Sequence, residues 1–274
     1  MKRWLKWIAT TLVAIILLAV SGVYMASELR RTKTYDSPLM AFDANQFQFA
    51  SGEAERRART MMCLGCHREA GNVIFEAKNV GRLVAPNLTK MIPQYSDSEL
   101  ERLIRRGIKK DGTAVIAMPA ATYANMSDDD LAAIITFMRS RKLIPDKVEG
   151  GTEWGPLGRI ALVTNKIPYE ADHVTNFNHA KARPNDLGPY LVSTTCSHCH
   201  NLDSERDNGS GMKAPPLKMM VASYTFDEFS ALITTGKGKG GRDLGLMSEI
   251  AKNEFSHFSD EERRALYDYL AKQE

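Results

Sequence analysis

The sequence predicts an all-α protein: two small helical domains in tandem, preceded by one N-terminal helix that crosses a membrane. Three observations carry this. A charge-free run opens the chain, the remainder aligns with itself, and its periodic segments have helical spacing and helical caps. The composition agrees, with 43% hydrophobic and 25% charged residues among 274 and a net charge of +3. That balance excludes disorder, a collagen-like repeat and a multi-span membrane protein. The charge is too weak to argue for nucleic acid, and no such partner is expected.

The N-terminal helix comes first. Lys2, Arg3 and Lys6 precede a stretch from Trp7 to Ser27 with no charged residue. A helix of about 20 apolar residues spans the hydrocarbon core, whereas a secretory apolar region runs about 7–15 and ends in small residues. Tyr24 spoils the cleavage site that would end at Ala26. Residues 1–29 therefore read as a membrane anchor, or as a signal that is not cleaved. Arg30, Arg31 and Lys33 follow the span, so charge does not decide its orientation.

The two domains follow from an internal repeat. Cys63-Leu-Gly-Cys66-His67 matches Cys196-Ser-His-Cys199-His200, 133 residues on. Pro86 then matches Pro215, Tyr95 matches Tyr224, Gly107 matches Gly236 and Met118 matches Met247, in one order and nearly one register. Ser127-Asp-Asp-Asp130 matches Ser259-Asp-Glu-Glu262, and Phe137 matches Tyr269. The predicted domains are 45–145 and 182–274, with linkers at 30–44 and 146–181. The second linker holds Gly150-Gly151, Pro156 and Pro168, but Trp154–Pro168 is apolar enough to pack against a domain.

Helices are placed by caps and spacing. Ser96–Glu99 and Thr225–Glu228 are capping boxes one residue after the matched tyrosines, and Ser127–Asp130 and Ser259–Glu262 have the same form. Leu131, Ile134, Ile135 and Met138 recur at helical spacing, as do Leu266, Tyr269 and Leu270. A further helix is expected before each cysteine pair, at Glu53–Met62 and Pro189–Thr195. Each domain is then three short helices joined by long loops that cannot pack alone and need a large apolar object at the centre.

The cysteine motifs name that object. Cys-x-x-Cys-His is the attachment signature of c-type haem: two thiols become thioethers, and the histidine becomes an axial ligand. All four cysteines, Cys63, Cys66, Cys196 and Cys199, are used in this way, with His67 and His200 beneath two irons. Two disulfides would leave the histidines unexplained. One four-thiolate zinc centre would join sites that the repeat keeps apart. A thioredoxin-like pair would need a βαβ context, and none is visible. For the sixth ligand the repeat favours Met118, 51 residues after His67, and Met247, 47 after His200. A thioether is a soft donor that raises the iron potential. Met91 and Met126 compete in domain one, and Met212, Met219 and Met220 in domain two. Any of them can equally be a core gap-filler.

These motifs resemble class I c-type cytochromes: Cys63-x-x-Cys66-His67, Pro86, Met118-Pro119 and a C-terminal helix with Phe137. The second set, with Pro215, Met247 and Tyr269, departs at Ser248, where the family usually has proline; Leu244–Glu249 resembles cytochrome subunits of membrane-bound dehydrogenases. The resemblance implies a membrane-anchored cytochrome with two tandem domains, each folded around a covalent haem c. It implies that the carbonyls of Pro86 and Pro215 accept the imidazole N–H. Tyr95, Tyr123 and Tyr224 are candidate donors to haem propionates, or packed amphipathic rings. His198 should point away from the iron, while His173, His179 and His257 carry no assigned role. The basic strip Arg102, Arg105, Arg106, Lys109, Lys110 is either a docking patch or the solvated face of a helix, and Lys237–Arg242 poses the same choice.

Six-coordinate irons leave no open position, so the implied function is single-electron transfer through the exposed haem edges. The family attaches haem on the outer face of an energy-transducing membrane. That implies a bacterial inner-membrane anchor with both domains in the periplasm, relaying electrons from a quinol-oxidising complex or dehydrogenase to a terminal oxidase or reductase. The expected partners are the membrane and redox proteins of such a respiratory or dehydrogenase complex. The alternatives are a dihaem enzyme of the peroxidase type with one displaceable ligand, and a subunit whose haems serve only its folding. A cysteine-ligated thiosulfate-oxidising cytochrome lacks a spare cysteine.

Overall fold

The structure is a computed structural model that describes residues 2–175, 177, 179–208 and 212–272. One residue of the predicted segment 1–29, two of 146–181 and five of 182–274 lie outside that set. The first element is one continuous helix, α1 (Lys2–Arg31). Within it an 18-residue window has mean hydropathy 2.3 and none of it is buried, so by length and composition it can cross a membrane.

Domain one begins with α2 (Glu53–Thr60) and the single turn α3 (Cys63–His67). An antiparallel hairpin follows, β1 (Asn72–Ala77) and β2 (Gly81–Ala85), where the sequence suggests only loop. Then come the short α4 (Leu88–Met91), α5 (Asp97–Arg106), the short α6 (Ala120–Tyr123) and α7 (Asp128–Ser140). Helix α2 lies across α7, and their facing residues Ala58, Met61, Leu131 and Ile135 are wholly buried.

In the interdomain segment, β3 (Glu153–Trp154) extends the hairpin by pairing with Arg82 and Gly81. The helix α8 (Pro156–Val163) packs on the end of α1. Arg159 stacks over the Tyr24 ring at 4.4 Å and donates to Ser27 Oγ at 2.8 Å. Leu162 and Tyr169 bury themselves against Ala114 of domain one.

Domain two repeats the plan with α9 (Leu187–Thr194), α10 (Leu217–Val221), α11 (Phe226–Thr235), α12 (Leu246–Asn253) and α13 (Asp260–Ala271). It adds two minimal ladders, β4 (Arg206–Asp207) with β5 (Lys213–Ala214), and β6 (Lys237–Gly238) with β7 (Arg242–Asp243). Helix α9 crosses α13 as α2 crosses α7. The matched helices α5 and α11 carry full capping boxes and end on left-handed glycines, Gly107 and Gly236. Glycine reaches that conformation without the Cβ clash that penalises other residues.

The predicted box at Ser127 does not form, although α7 starts there. Tyr190 of domain two donates to Asp130 at 2.6 Å and accepts from the Ser127 N–H at 3.1 Å. Arg183 spans Asp130 at 2.7 Å and Glu262 at 2.5 Å, and Glu262 also holds Arg56. Asp130 is thus taken by the domain interface rather than by its own helix N-terminus. Asp130 and Glu262 are buried. Burial pushes the Glu262 carboxyl up, but the two arginines outweigh it and hold the group below its ordinary value.

The basic strip divides: its three arginines are bound up within the protein, while Lys110 is exposed. Arg105 is fully buried and donates to Asp128 at 2.8 Å, while Arg106 pairs with Glu101 at 2.6 Å. Arg102 ties down the carbonyls of Ser37 and Lys109. The segment before domain one lies over Arg102 and Arg106, so that part of the helix surface is covered.

Candidate cofactor sites

One helical turn builds the first motif. Cys63, Cys66 and His67 stand at i, i+3 and i+4 on α3, so the three side chains share a face. Strand β2 delivers Pro86 opposite, and its carbonyl lies 2.7 Å from His67 Nδ1. A carbonyl only accepts, so Nδ1 carries the proton and Nε2 keeps its lone pair for a ligand.

Met118 sits in a tight turn. Ala117 is left-handed at φ 64, and across Pro119 the Ala120 N–H donates to the Met118 carbonyl at 2.7 Å. Cys63, Cys66, His67, Pro86, Tyr95 and Met118 all line one cavity of 510 Å³, within the usual range of cofactor sites. Met91 lines it too, whereas Met126 is fully buried in the core. The Tyr123 hydroxyl donates to the Met61 carbonyl at 2.6 Å, so its proton is committed.

The second motif has the same plan. A 3-10 turn carries Cys196–His198, and His200 donates its N–H to the Cys196 carbonyl at 3.0 Å. The Pro215 carbonyl lies 2.9 Å from His200 Nδ1. His200 lines a cavity of 330 Å³ with Pro189, Leu217 and Tyr269, and Met247 is not part of that lining. Met247 packs instead with Leu244 and Ile250 against the second core. Met212 and Met219 are exposed, while Met220 packs on the same core. Tyr224 is buried, and its hydroxyl accepts the Lys239 N–H at 3.1 Å.

Ser248 supplies what proline would. Its hydroxyl accepts from the Leu244 N–H at 2.8 Å and donates to the Gly236 carbonyl, so a side chain clamps the first turn of α12, which carries Met247. No spacing pattern announces that clamp.

The two motifs face each other. His198 and Cys199 of domain two line the first cavity, alongside Ile250 and Glu254. Met62, next to Cys63, packs against the core of domain two. Glu254 is 4% exposed, and its Oε2 has no hydrogen-bond partner among the described residues. Burial pushes its carboxyl up to about 7, against the pull of Arg59 and Arg68.

Burial also raises every motif thiol, Cys63 to about 12 and Cys196 to about 11. A reactive redox pair has a lowered thiol instead. Among the described residues no three His, Cys, Asp or Glu side chains gather as a metal cluster.

Comparison with known proteins agrees with this geometry. Residues 48–138 match the family described as cytochrome c oxidase, cbb3-type, subunit III, and residues 186–274 match the family cytochrome c. The chain carries two cytochrome c domains in tandem, a class of protein that binds haem c and transfers electrons.

Among its relatives is the cytochrome c subunit of alcohol dehydrogenase (quinone) from Gluconobacter oxydans, 25% identical across 84% of this chain and 55% of that subunit. The gluconate 2-dehydrogenase cytochrome c subunit of Pantoea cypripedii is 24% identical across 79% of the chain and 58% of its own length. The fructose dehydrogenase cytochrome subunit of Gluconobacter japonicus is 23% identical across 76% and 49%. The chain spans about half the length of the curated relatives it matches.

The residues fit haem c on their own chemistry. Each motif sets two thiols beside an imidazole whose free nitrogen is fixed by a proline carbonyl, and the first opens on a cavity that also holds a methionine.

Proposed function

We propose that this chain is a membrane-anchored dihaem cytochrome that relays single electrons on the periplasmic side of a bacterial inner membrane. When bound, haem c supplies a one-electron iron couple. Cys63 and Cys66 would hold one haem covalently and Cys196 and Cys199 the other, with His67 and His200 as the first iron-ligating side chains. Met118 and Met247 would supply the second iron-ligating side chain, one to each haem.

The observation that carries the reading is the matched pair of histidine–proline contacts, 2.7 Å in domain one and 2.9 Å in domain two. They orient both imidazoles and raise their basicity as ligands. The facing motifs support a relay, because Cys199 stands at the wall of the first cavity. Helix α1 tethers the pair, and α8 with Arg159 braces the tether. The relatives are subunits of alcohol, gluconate and fructose dehydrogenases. A dehydrogenase that oxidises such a small hydroxylated substrate is therefore the electron donor proposed here, with a quinone or terminal oxidase as acceptor.

A pyridine haemochrome assay on the purified chain is expected to give two haems, and one or none refutes the reading. Carbon monoxide added to the reduced protein is expected to bind neither iron promptly. Prompt binding at one haem would favour the dihaem peroxidase reading, for which the exclusion of Met247 from the His200 cavity is the relevant observation.

A further inference from the structure

The first cavity does not end at the residues of its own domain. Arg31 from the end of α1 lines it, as do Trp154 and Tyr169 from the interdomain segment and Lys109 from the turn after α5. Tyr169 is 4% exposed, and its hydroxyl has no hydrogen-bond partner among the described residues. A buried hydroxyl left unpaired carries the cost of its lost hydration, so such a group in a cavity wall marks a missing acceptor. Burial raises the phenol, and the guanidinium charges of Arg30 and Arg31 act on it in the opposite sense.

These residues lie at the far end of the cavity from the attachment turn. Pro86, which holds His67, follows Ala85 at one end of β2, and Trp154 pairs with Gly81 at the other. Five steps of extended chain, from Gly81 to Pro86, separate the two by about 16 Å. Haem c is joined to its cysteines at one edge and carries two carboxylates at the opposite edge. A basic, hydroxyl-bearing end opposite the cysteines therefore matches the group in both polarity and direction.

We propose that the carboxylate edge of the domain-one haem is received by the junction of the anchor helix and the interdomain segment, with Tyr169 donating a hydrogen bond and Arg31 and Lys109 supplying positive charge. This rests on the dihaem reading above. Arg31 is available for the task. Its ion pair with Glu28 is surface-exposed on both sides and weak, and Arg159 also neutralises Glu28. The first haem is then completed by residues outside its domain, and its carboxylate edge faces the end of the membrane helix.

The test uses the full-length holoprotein and a stepwise redox titration, with resonance Raman bands of the haem carboxylates as a second readout. Positive charge and hydrogen-bond donors near the carboxylates favour the reduced iron. Tyr169→Phe and Arg31→Gln are each expected to keep two haems, to move one of the two redox waves to lower potential and to shift the carboxylate band. Arg31→Lys is expected to restore most of the change. Two haems with both waves and the band unmoved would overturn the proposal alone. Equal movement of both waves, the mark of a global disturbance, would also overturn it. Fewer than two haems in the wild-type protein would overturn the dihaem reading, and this proposal with it.

Discussion

Replacing Arg183 with methionine tests the joint between the domains. Arg183 is 11% exposed and bridges Asp130 at 2.7 Å and Glu262 at 2.5 Å, whose side chains are 0% and 2% exposed. Removing one member of a buried ion pair costs about 3–5 kcal/mol, because the partner charge stays buried without compensation. Here the loss is softened. Asp130 keeps Arg57 at 3.2 Å and the Tyr190 hydroxyl at 2.6 Å, and Glu262 keeps Arg56. A cost of about 2–3 kcal/mol is expected, which at a urea slope of about 1–3 kcal/mol/M lowers the midpoint by roughly 1 M.

The pH dependence gives a second arm. The folded carboxyl of Glu262 lies below its ordinary 4.5, so its contribution is present above that pH and is lost as pH falls through the folded value. Without Arg183 the folded value rises, and the acid loss begins at higher pH than in the wild type. Urea unfolding of the holoprotein at pH 7 and in steps below pH 5 reads both. A midpoint within about 0.2 M of wild type, with an unchanged acid limb, would refute the reasoning.

Glu254→Gln should flatten a different pH dependence. A carboxyl raised from 4.5 to about 7 contributes stability that is full below pH 4.5 and is lost as pH rises through 7. The glutamine variant should therefore gain up to about 3 kcal/mol on wild type in urea melts at pH 8, and equal curves at pH 5 and 8 for both proteins would contradict this. Gly188→Ala should destabilise by about 1–3 kcal/mol, since its Cβ would lie 2.6 Å from Tyr269 Cβ and from the Ala265 carbonyl where α9 crosses α13. An unchanged melt would mean that the helices part freely. Ser248→Ala removes the clamp on the first turn of α12, which carries Met247. It should weaken about half of the ferric methionine–iron charge-transfer band on warming and admit carbon monoxide to one reduced iron, while a band as stable as wild type would show that the clamp is dispensable.

Much of the candidate site was legible before any fold was known, because its chemistry is local. The Cys-x-x-Cys-His spacing fits one helical turn, so three side chains share a face whatever surrounds them. The repeat paired Pro86 with Pro215, the family resemblance implied their contacts with the histidines, and three of the four predicted capping boxes form. The fourth fails at Ser127 because the other domain takes Asp130, a competition that no local pattern displays. Part of the basic strip is hidden for the same reason: its periodicity is that of a helix surface, and a distant segment covers Arg102 and Arg106. Ser248 was read as a departure from proline, and only its hydrogen bonds reveal a substitute lock.

The sequence by itself determined what is covalent, periodic or duplicated: the apolar helix, the two domains, the four thiols and their two histidines. Each depends on neighbours within a few turns of chain. Tertiary structure alone decided how the units meet. It set Cys199 into the wall of the first cavity, buried Glu254 without a hydrogen-bond partner for its Oε2 among the described residues, and brought Arg31 and Tyr169 to the cavity's far end. Cys199 is 133 positions from Cys66, and Arg31 is 138 from Tyr169, and burial and Coulomb interactions depend on distance in space, which spacing along the chain does not encode.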